Sequence, residues 1–309
     1  MRWIKRLVWI PHVWINWKRW YFMRDFLNGP NGNTDSIRAL GMGVFDGIHR
    51  GHQVIVDQCS HLMTFMPYPR AVLNPEMPVI PRLTVLSEMQ HLFPNTIALR
   101  FTPAIAALPA SEFFDRFVVQ QLAPKRVVVG EDFKFGANQS GNGTVLQALG
   151  AAAGIDVVVV PLVVQDGQPV KSGRIRTAIR AGQFNHAVDL LGHPYCLSGT
   201  VVRGDGRGRT LGFPTANLKI PDTKLGLLPG VYAGYLADTQ APVVVYSGSA
   251  PTFDTKTPRH EVHILDYDGD LYGQSLSVMI TRQIRGERQF ESTDALQAQI
   301  QRDSQAARR

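Results

Sequence analysis

Hydrophobic periodicity changes character once along this chain, near Pro194, and that change limits the folds open to it. Before it, runs rich in β-branched residues at 37–44, 96–101, 126–130 and 155–162 alternate with helical patterns at 111–122 and 144–153. Two further helical stretches follow at 175–181 and 184–191. Strands separated by helices pair in parallel, because a parallel neighbour is reached only through a crossover, so this part is expected to be a Rossmann-like α/β domain. After Pro194, strand-like runs at 195–203, 231–237, 243–246, 261–267 and 276–280 succeed one another with Gly, Pro and Asp punctuation and no helix between them. Such strands pair through hairpins and close as a small antiparallel barrel. A last helix is expected from the capping residues Ser292 and Thr293, with Leu296 and Ile300 one turn apart. The 309 residues suit two domains, here 36–183 and 184–309, after an extension at 1–35.

Charge narrows the partners. The chain has 32 Lys+Arg against 25 Asp+Glu, a formal +7. Arg2, Lys5, Arg6, Lys18, Arg19 and Arg24 against Asp25 put +5 of that into the first 25 residues, and the remainder is nearly balanced. No nucleic-acid partner is therefore expected. Cys59 and Cys196 lie far apart, without CxxC or His spacing, so neither a disulfide framework nor a zinc site is indicated and a cytoplasmic location fits. The apolar stretch 7–17 is broken by Pro11, His12 and Asn16 and falls short of the roughly 20 residues of a membrane span.

All five tryptophans, Trp3, Trp9, Trp14, Trp17 and Trp20, lie among the basic residues of this extension. The favoured reading is a start called too early, with Met23 the true beginning. Its rival is an interfacial segment at 1–22 touching an anionic membrane, which Pro11 would interrupt. A secretory signal is rejected, because Trp17, Lys18, Arg19, Trp20 and Tyr21 stand where a small-residue cleavage site belongs.

The stretch Gly43 to His52, G-V-F-D-G-I-H-R-G-H, follows a strand where a nucleotide-binding βα turn would sit. Glycines let the backbone approach phosphates, and a helix N-terminus adds N–H donors and a positive dipole end. His49 and His52, three residues apart, can donate to developing negative charge. Attack on the α-phosphate of ATP needs no nucleophilic side chain, only positioning and charge stabilisation. Gly43, Phe45, Asp46, Gly47 and Gly51 are accordingly expected against the nucleotide. An isolated H-x-G-H also suits two surface histidines beside turn glycines; the strand before it favours the phosphate site.

A second motif, residues 199–218, places Gly204, Gly206 and Gly208 in a turn and then Pro214, Thr215, Ala216 and Asn217. Backbone N–H groups of a Gly-rich turn can cradle phosphates, and the Thr215 hydroxyl and Asn217 carbonyl are hard oxygen ligands suited to Mg²⁺. The combination reads as an ATP site without a Walker motif, against the plainer reading of a Gly-rich hairpin and an ordinary Pro-Thr turn.

Together these motifs resemble the bacterial bifunctional riboflavin kinase/FAD synthetase family. The similarity runs through F-M-P-Y-P at 65–69, G-E-D-F-K-F-G at 130–136, S-G-R-I-R at 172–176, G-V-Y-A at 230–233, P-T-F at 251–253, E-V-H at 261–263 and L-Y-G at 271–273. The resemblance implies that His49, His52 and Arg176 act on the triphosphate of ATP, with Lys171 and Ser172 beside them. It puts Asp132, Phe133, Phe65 and Pro67 along the flavin. It makes Glu261 the general base for the ribityl hydroxyl, with Thr215 and Asn217 holding Mg²⁺, and gives ATP, riboflavin and FMN as small-molecule substrates and FMN and FAD as products. A hydroxyl attacking a γ-phosphate does need a proton acceptor and a bridging cation. The oligomeric state is left open.

The chain departs from the family pattern in places. Only twelve residues separate His52 from Phe65, room for two helical turns and a short strand at most. Met66 and Tyr68 replace a Glu and a His, Lys171-Ser172-Gly173 replaces Ser-Ser-Thr, Pro229 abuts Gly230, and Ser247 replaces an Asn. Two alternatives therefore stay open: a riboflavin kinase with an inactive nucleotidylyltransferase domain, and a non-catalytic flavin- or nucleotide-binding module.

Overall fold

The structure, a computed structural model, describes residues 37–204, 206–248 and 259–308. The readings of residues 1–36 and the P-T-F match at 251–253 lie outside the described residues.

Five parallel strands form the first sheet: β1 (Ala39–Met42), β2 (His61–Met66), β3 (Thr96–Arg100), β4 (Arg126–Gly130) and β5 (Asp156–Val160), in the order β3-β2-β1-β4-β5. Both faces are covered, as a parallel sheet requires. Leu40, Met63, Leu99 and Val127 pack on Phe113, Phe114 and Phe117 on one side. Leu62 and Val128, their neighbours in sequence, pack with Phe45, Ile48 and Ile55 on the other.

The short interval after His52 holds the end of a two-turn helix, a turn and most of a strand, as its length allows. Helix α1 (Arg50–Val56) begins before His52, so its seven residues and the six of β2 fit without strain on the connection. Strand β2 pairs with β1 through Leu40 and His61 and with β3 through Leu62 and Thr96. The helical segment expected at 111–122 is a short α-turn (Ala110–Phe113) continued by a π-helix (Phe114–Leu122), which ends at Ala123 in the left-handed region.

After helices α2 (Leu86–Leu92), α3 (Gly143–Ala153), α4 (Ser172–Arg180) and α5 (Phe184–Leu191), six strands close a barrel. They are β6 (Tyr195–Val202), β7 (Ala216–Lys219), β8 (Gly230–Leu236), β9 (Pro242–Gly248), β10 (Arg259–Ile264) and β11 (Ser275–Gly286), in the order β8-β9-β10-β7-β6-β11 and back to β8. Strand β7 has no counterpart among the expected runs.

The core of the barrel does not stop at its strands. Leu197, Tyr232, Val245, Val262 and Ile280 form one buried cluster with Ile175 and Ile179 of α4, Phe184 and Leu190 of α5, and Leu83 and Val170. Helix α6 (Thr293–Ala307) starts at Ser292, whose side chain accepts from the Ala295 N–H, and is pinned to β11 by Arg285 on the buried Asp303, with Nη2 2.8 Å from Oδ2. Among the described residues no helix is long and apolar enough to cross a membrane.

Candidate active sites

Strand β1 delivers its chain to a turn in which Phe45, Gly47 and Ile48 all take positive φ, 51°, 95° and 40°. Such backbone is costly for non-glycine residues and concentrates at functional sites. It sets His49 as the N-cap of α1 and brings its ring over that of His52, centroids 3.7 Å apart and planes 18° from parallel. Phe45 meets His52 edge-on at 5.3 Å. Burial lowers the His49 pKa to about 4, the Asp132 carboxylate opposing and His193 and Arg176 adding to the effect. Burial and the adjoining His49 push His52 well below its usual range. Both rings are therefore neutral near pH 7. Each keeps a buried Nδ1 with no hydrogen-bond partner among the described residues.

Two cavities open around this pair. One of about 820 Å³ is walled by Phe45, Phe65, Phe101, Phe113, Phe133 and Phe135, with Gly43, His52 and Asp132 at its side. The other, about 250 Å³, is lined by His49, Gly51, His52, Tyr68, Lys171, Ser172 and Arg176. They share His52, Ile55, Gly130 and Asp132. A large aromatic chamber beside a small cationic one suits a flat ring system joined to phosphates. Lys171 Nζ sits 2.9 Å from Asp132 Oδ2 where the two adjoin. Ser172 Oγ donates to the Asp46 carbonyl at 2.7 Å.

Asp46, Gly47 and Pro67, expected against ligand, line neither cavity. The Asp46 side chain is 2% exposed; it accepts from Arg176 and from the Thr84 N–H at 3.0 Å, and so acts behind the site. Gly47 packs on Leu83 and Leu191 and donates its N–H to Thr84 Oγ1. Pro67 is exposed, and Pro69 takes the wall position instead. Arg176 does line the smaller cavity, but its guanidinium is shared with Asp46 and its Nε donates to the Pro81 carbonyl at 2.9 Å.

In the barrel, β7 and β10 pair antiparallel with Asn217 opposite Glu261. Thr215 Oγ1 donates to Glu261 Oε2 at 3.1 Å, so all three expected residues come together. The Gly-rich turn lies directly on them. A Cβ at Gly204 would sit 2.0 Å from Asn217 Nδ2, and one at Gly208 would sit 2.4 Å from the Phe213 carbonyl and 3.0 Å from Thr215 Oγ1. Gly206, at φ 69°, faces open space at the tip. Alongside runs a groove of about 620 Å³ between Phe213, Pro214, His263 and the end of α6.

A hydroxyl, an amide carbonyl and one carboxylate fit Mg²⁺, which takes oxygen ligands and leaves most of its shell to phosphate and water. They do not fit a thiolate- or imidazole-seeking metal, and among the described residues no group of three or more His, Cys, Asp or Glu could hold an ion by itself.

One buried network was not foreseen. Lys224 and Glu88, both fully buried, pair at 2.7 Å, and Glu88 Oε1 accepts from the Ser198 N–H of β6 at 2.9 Å. Arg82, 8% exposed, lies beside Asp46. The only sequence signal is a cation set in an apolar run, P-R-L-T-V-L and T-K-L-G-L-L.

Comparison with known proteins agrees with both halves. A riboflavin kinase family model matches residues 191–309, and an FAD synthetase model matches 32–174. The bifunctional riboflavin kinase/FMN adenylyltransferase of Escherichia coli K12 is 35% identical over 288 residues, covering 87% of this chain and 91% of that protein. Its Bacillus subtilis 168 counterpart is 32% identical over 291 residues, at 87% and 91% coverage. A crystal structure from Streptococcus pneumoniae, described as a macrolide-efflux protein, superposes with TM-score 0.76 at 31% identity, covering 89% of this chain and 95% of that one. With the likeness running through both halves at 32–35% identity and over 87% of the chain, this chain belongs to the bifunctional riboflavin kinase/FMN adenylyltransferase family.

Proposed function

We propose that this chain converts riboflavin to FMN in the barrel and FMN to FAD in the α/β domain, each step consuming ATP. The observation that carries the reading is the assembly of Thr215, Asn217 and Glu261 under one Gly-rich turn and of His49 and His52 between two joined cavities in the same chain.

In the first step the ribityl 5′-hydroxyl oxygen bonds to the γ-phosphorus of ATP, its proton passes to Glu261, and ADP leaves. Thr215, already hydrogen-bonded to Glu261, holds that carboxylate toward the hydroxyl. Gly204 and Gly208 bring backbone N–H groups onto the phosphates. Thr215 and Asn217 would hold Mg²⁺, which when bound neutralises charge on the transferring phosphate.

In the second step a phosphate oxygen of FMN bonds to the α-phosphorus of ATP and pyrophosphate leaves. The FMN phosphate is largely ionised at neutral pH, so no general base is needed. His49 and His52, neutral, donate N–H groups to phosphate oxygens, while Lys171 and Arg176 supply positive charge. Phe65 and Phe133 wall the flavin, and Asp132 sits at the junction of its chamber with the phosphate cavity.

The working division is 36–183 and 184–309, with the shared packing of α4 and α5 joining the two units. Reduced Cys59 and Cys196 fit the cytoplasm. Replacing Glu261 by Gln tests the assignment of steps: riboflavin phosphorylation is expected to fall by about 10²–10⁴-fold while FMN adenylylation continues. Phosphorylation at the wild-type rate in that variant removes Glu261 as the base.

A further inference from the structure

Asp46 faces two guanidinium groups. Arg176 is ion-paired with its Oδ2, and Arg82 Nε stands 4.0 Å from its Oδ1, too far for a hydrogen bond. The neighbouring buried charges, Lys224 and Glu88, cancel each other at 2.7 Å. One carboxylate is thus left to two buried cations, a net positive charge beside the smaller cavity of the α/β domain.

Arg82 is held there from the other half of the molecule. Its N–H donates to the Thr223 carbonyl at 2.7 Å, and its carbonyl accepts from the Leu225 N–H at 2.8 Å, so the loop after β7 fixes its backbone. Its guanidinium lies 5.3 Å from the centre of the Tyr68 ring, and Tyr68 lines the smaller cavity together with Arg176. Nε and Nη2 of Arg82 are buried with no hydrogen-bond partner among the described residues. A buried guanidinium that leaves two of its nitrogens without a hydrogen-bond partner is costly, and here it is held beside Asp46 as a charge partner.

We propose that Arg82 is a positioning residue for the polyphosphate in the α/β domain: it neutralises Asp46 from behind, so that Arg176 presents its own positive charge to the nucleotide. With one cation the Asp46–Arg176 pair would be neutral toward the cavity. With two, the surplus charge faces the phosphates. The loop after β7, the strand that bears Asn217 of the kinase site, thereby sets a charge in the adenylyltransferase site. This inference rests on the proposed placement of ATP between His49, His52 and Arg176.

The test is calorimetric titration of ATP with Mg²⁺ into the full chain, together with FMN adenylylation and riboflavin phosphorylation as separate assays. The wild-type chain is expected to take two ATP. Arg82→Met is expected to weaken one site by about tenfold or more, to raise the ATP KM of adenylylation by a similar factor with little change in kcat, and to leave the second site and riboflavin phosphorylation unchanged. Arg82→Lys, which keeps the charge, is expected to recover most of that affinity. Should Arg82→Met fail to fold, seen as loss of both sites, Arg82→Lys decides alone. Two sites of unchanged affinity in Arg82→Met, a lower kcat at unchanged KM, loss of the site in Arg82→Lys with kinase activity intact, or a wild-type chain taking one ATP each overturns the proposal. A wild-type chain that binds two ATP yet makes no FAD refutes the adenylylation reading while the Arg82 effect on binding stands.

Discussion

The imidazoles of His49 and His52 lie face to face, 3.7 Å apart, buried and neutral, each with an unpartnered Nδ1. Two charged imidazoles could not stack so closely, so the proposed role is that of neutral donors, in which loss of one ring would remove one oriented hydrogen bond to the phosphates. His52→Ala is expected to slow FMN adenylylation by about 10²–10³-fold, the usual effect of removing one such donor, with riboflavin phosphorylation retained. Chromatographic separation of FMN and FAD checks both; equal loss of the two activities would contradict the assignment.

The same burial makes the fold acid-sensitive. His49 and His260 are each held down to about 4 from a usual 6.5, burial being the main cause. Between those values the unfolded chain takes up protons that the folded chain refuses, so stability falls as pH drops from about 6.5 to 4, by on the order of 2–3 kcal/mol per histidine. His260 has both ring nitrogens buried without a partner among the described residues. His260→Leu is therefore expected to raise stability at pH 7 by about 1 kcal/mol and to flatten the decline toward pH 4.5. Denaturant unfolding at both pH values reads this, and an unchanged decline would count against it.

Gly208 touches the Phe213 carbonyl so closely that any side chain forces the backbone apart. Gly208→Ala is expected to cut kcat/KM for ATP in riboflavin phosphorylation by about tenfold or more, since a small displacement of positioning groups costs that much. FMN adenylylation in the same sample should be unchanged, and a variant matching wild type in both steps would show that the turn does not hold the phosphates.

Lys224→Met leaves the Glu88 carboxylate buried beside two N–H groups and no cation. A loss of about 3–5 kcal/mol is expected. Adding Glu88→Gln should recover about 1 kcal/mol or more of it, because the stranded charge goes too. Unfolding of the single and double variants measures the coupling, and strict additivity would show that the pair is not a unit.

The order of elements was legible because the two halves differ in period: Val127 to Val129 and Phe184 to Leu191 fall within their expected strand and helix. Strand β2 was harder, since H-L-M-T-F-M is apolar on both faces and has a single β-branched residue. Strand β7 is four residues long and carries an Asn. At the candidate sites, residues that meet within one turn, such as His49 with His52, could be read from spacing. Asp46 looked like a phosphate contact because it stands inside that motif, and only the fold shows it turned toward Arg176, 130 residues away. Lys224 and Glu88, 136 residues apart, carry no spacing that pairs them, and only the packing of the barrel on α2 brings them together.

The most direct test of the account is to supply the purified chain with riboflavin, ATP and Mg²⁺ and follow FMN and FAD separately over time. The account predicts that FMN appears first and FAD follows from it, with pyrophosphate released in step with FAD. FMN accumulating with no FAD, even when FMN is given as the starting substrate, would contradict it.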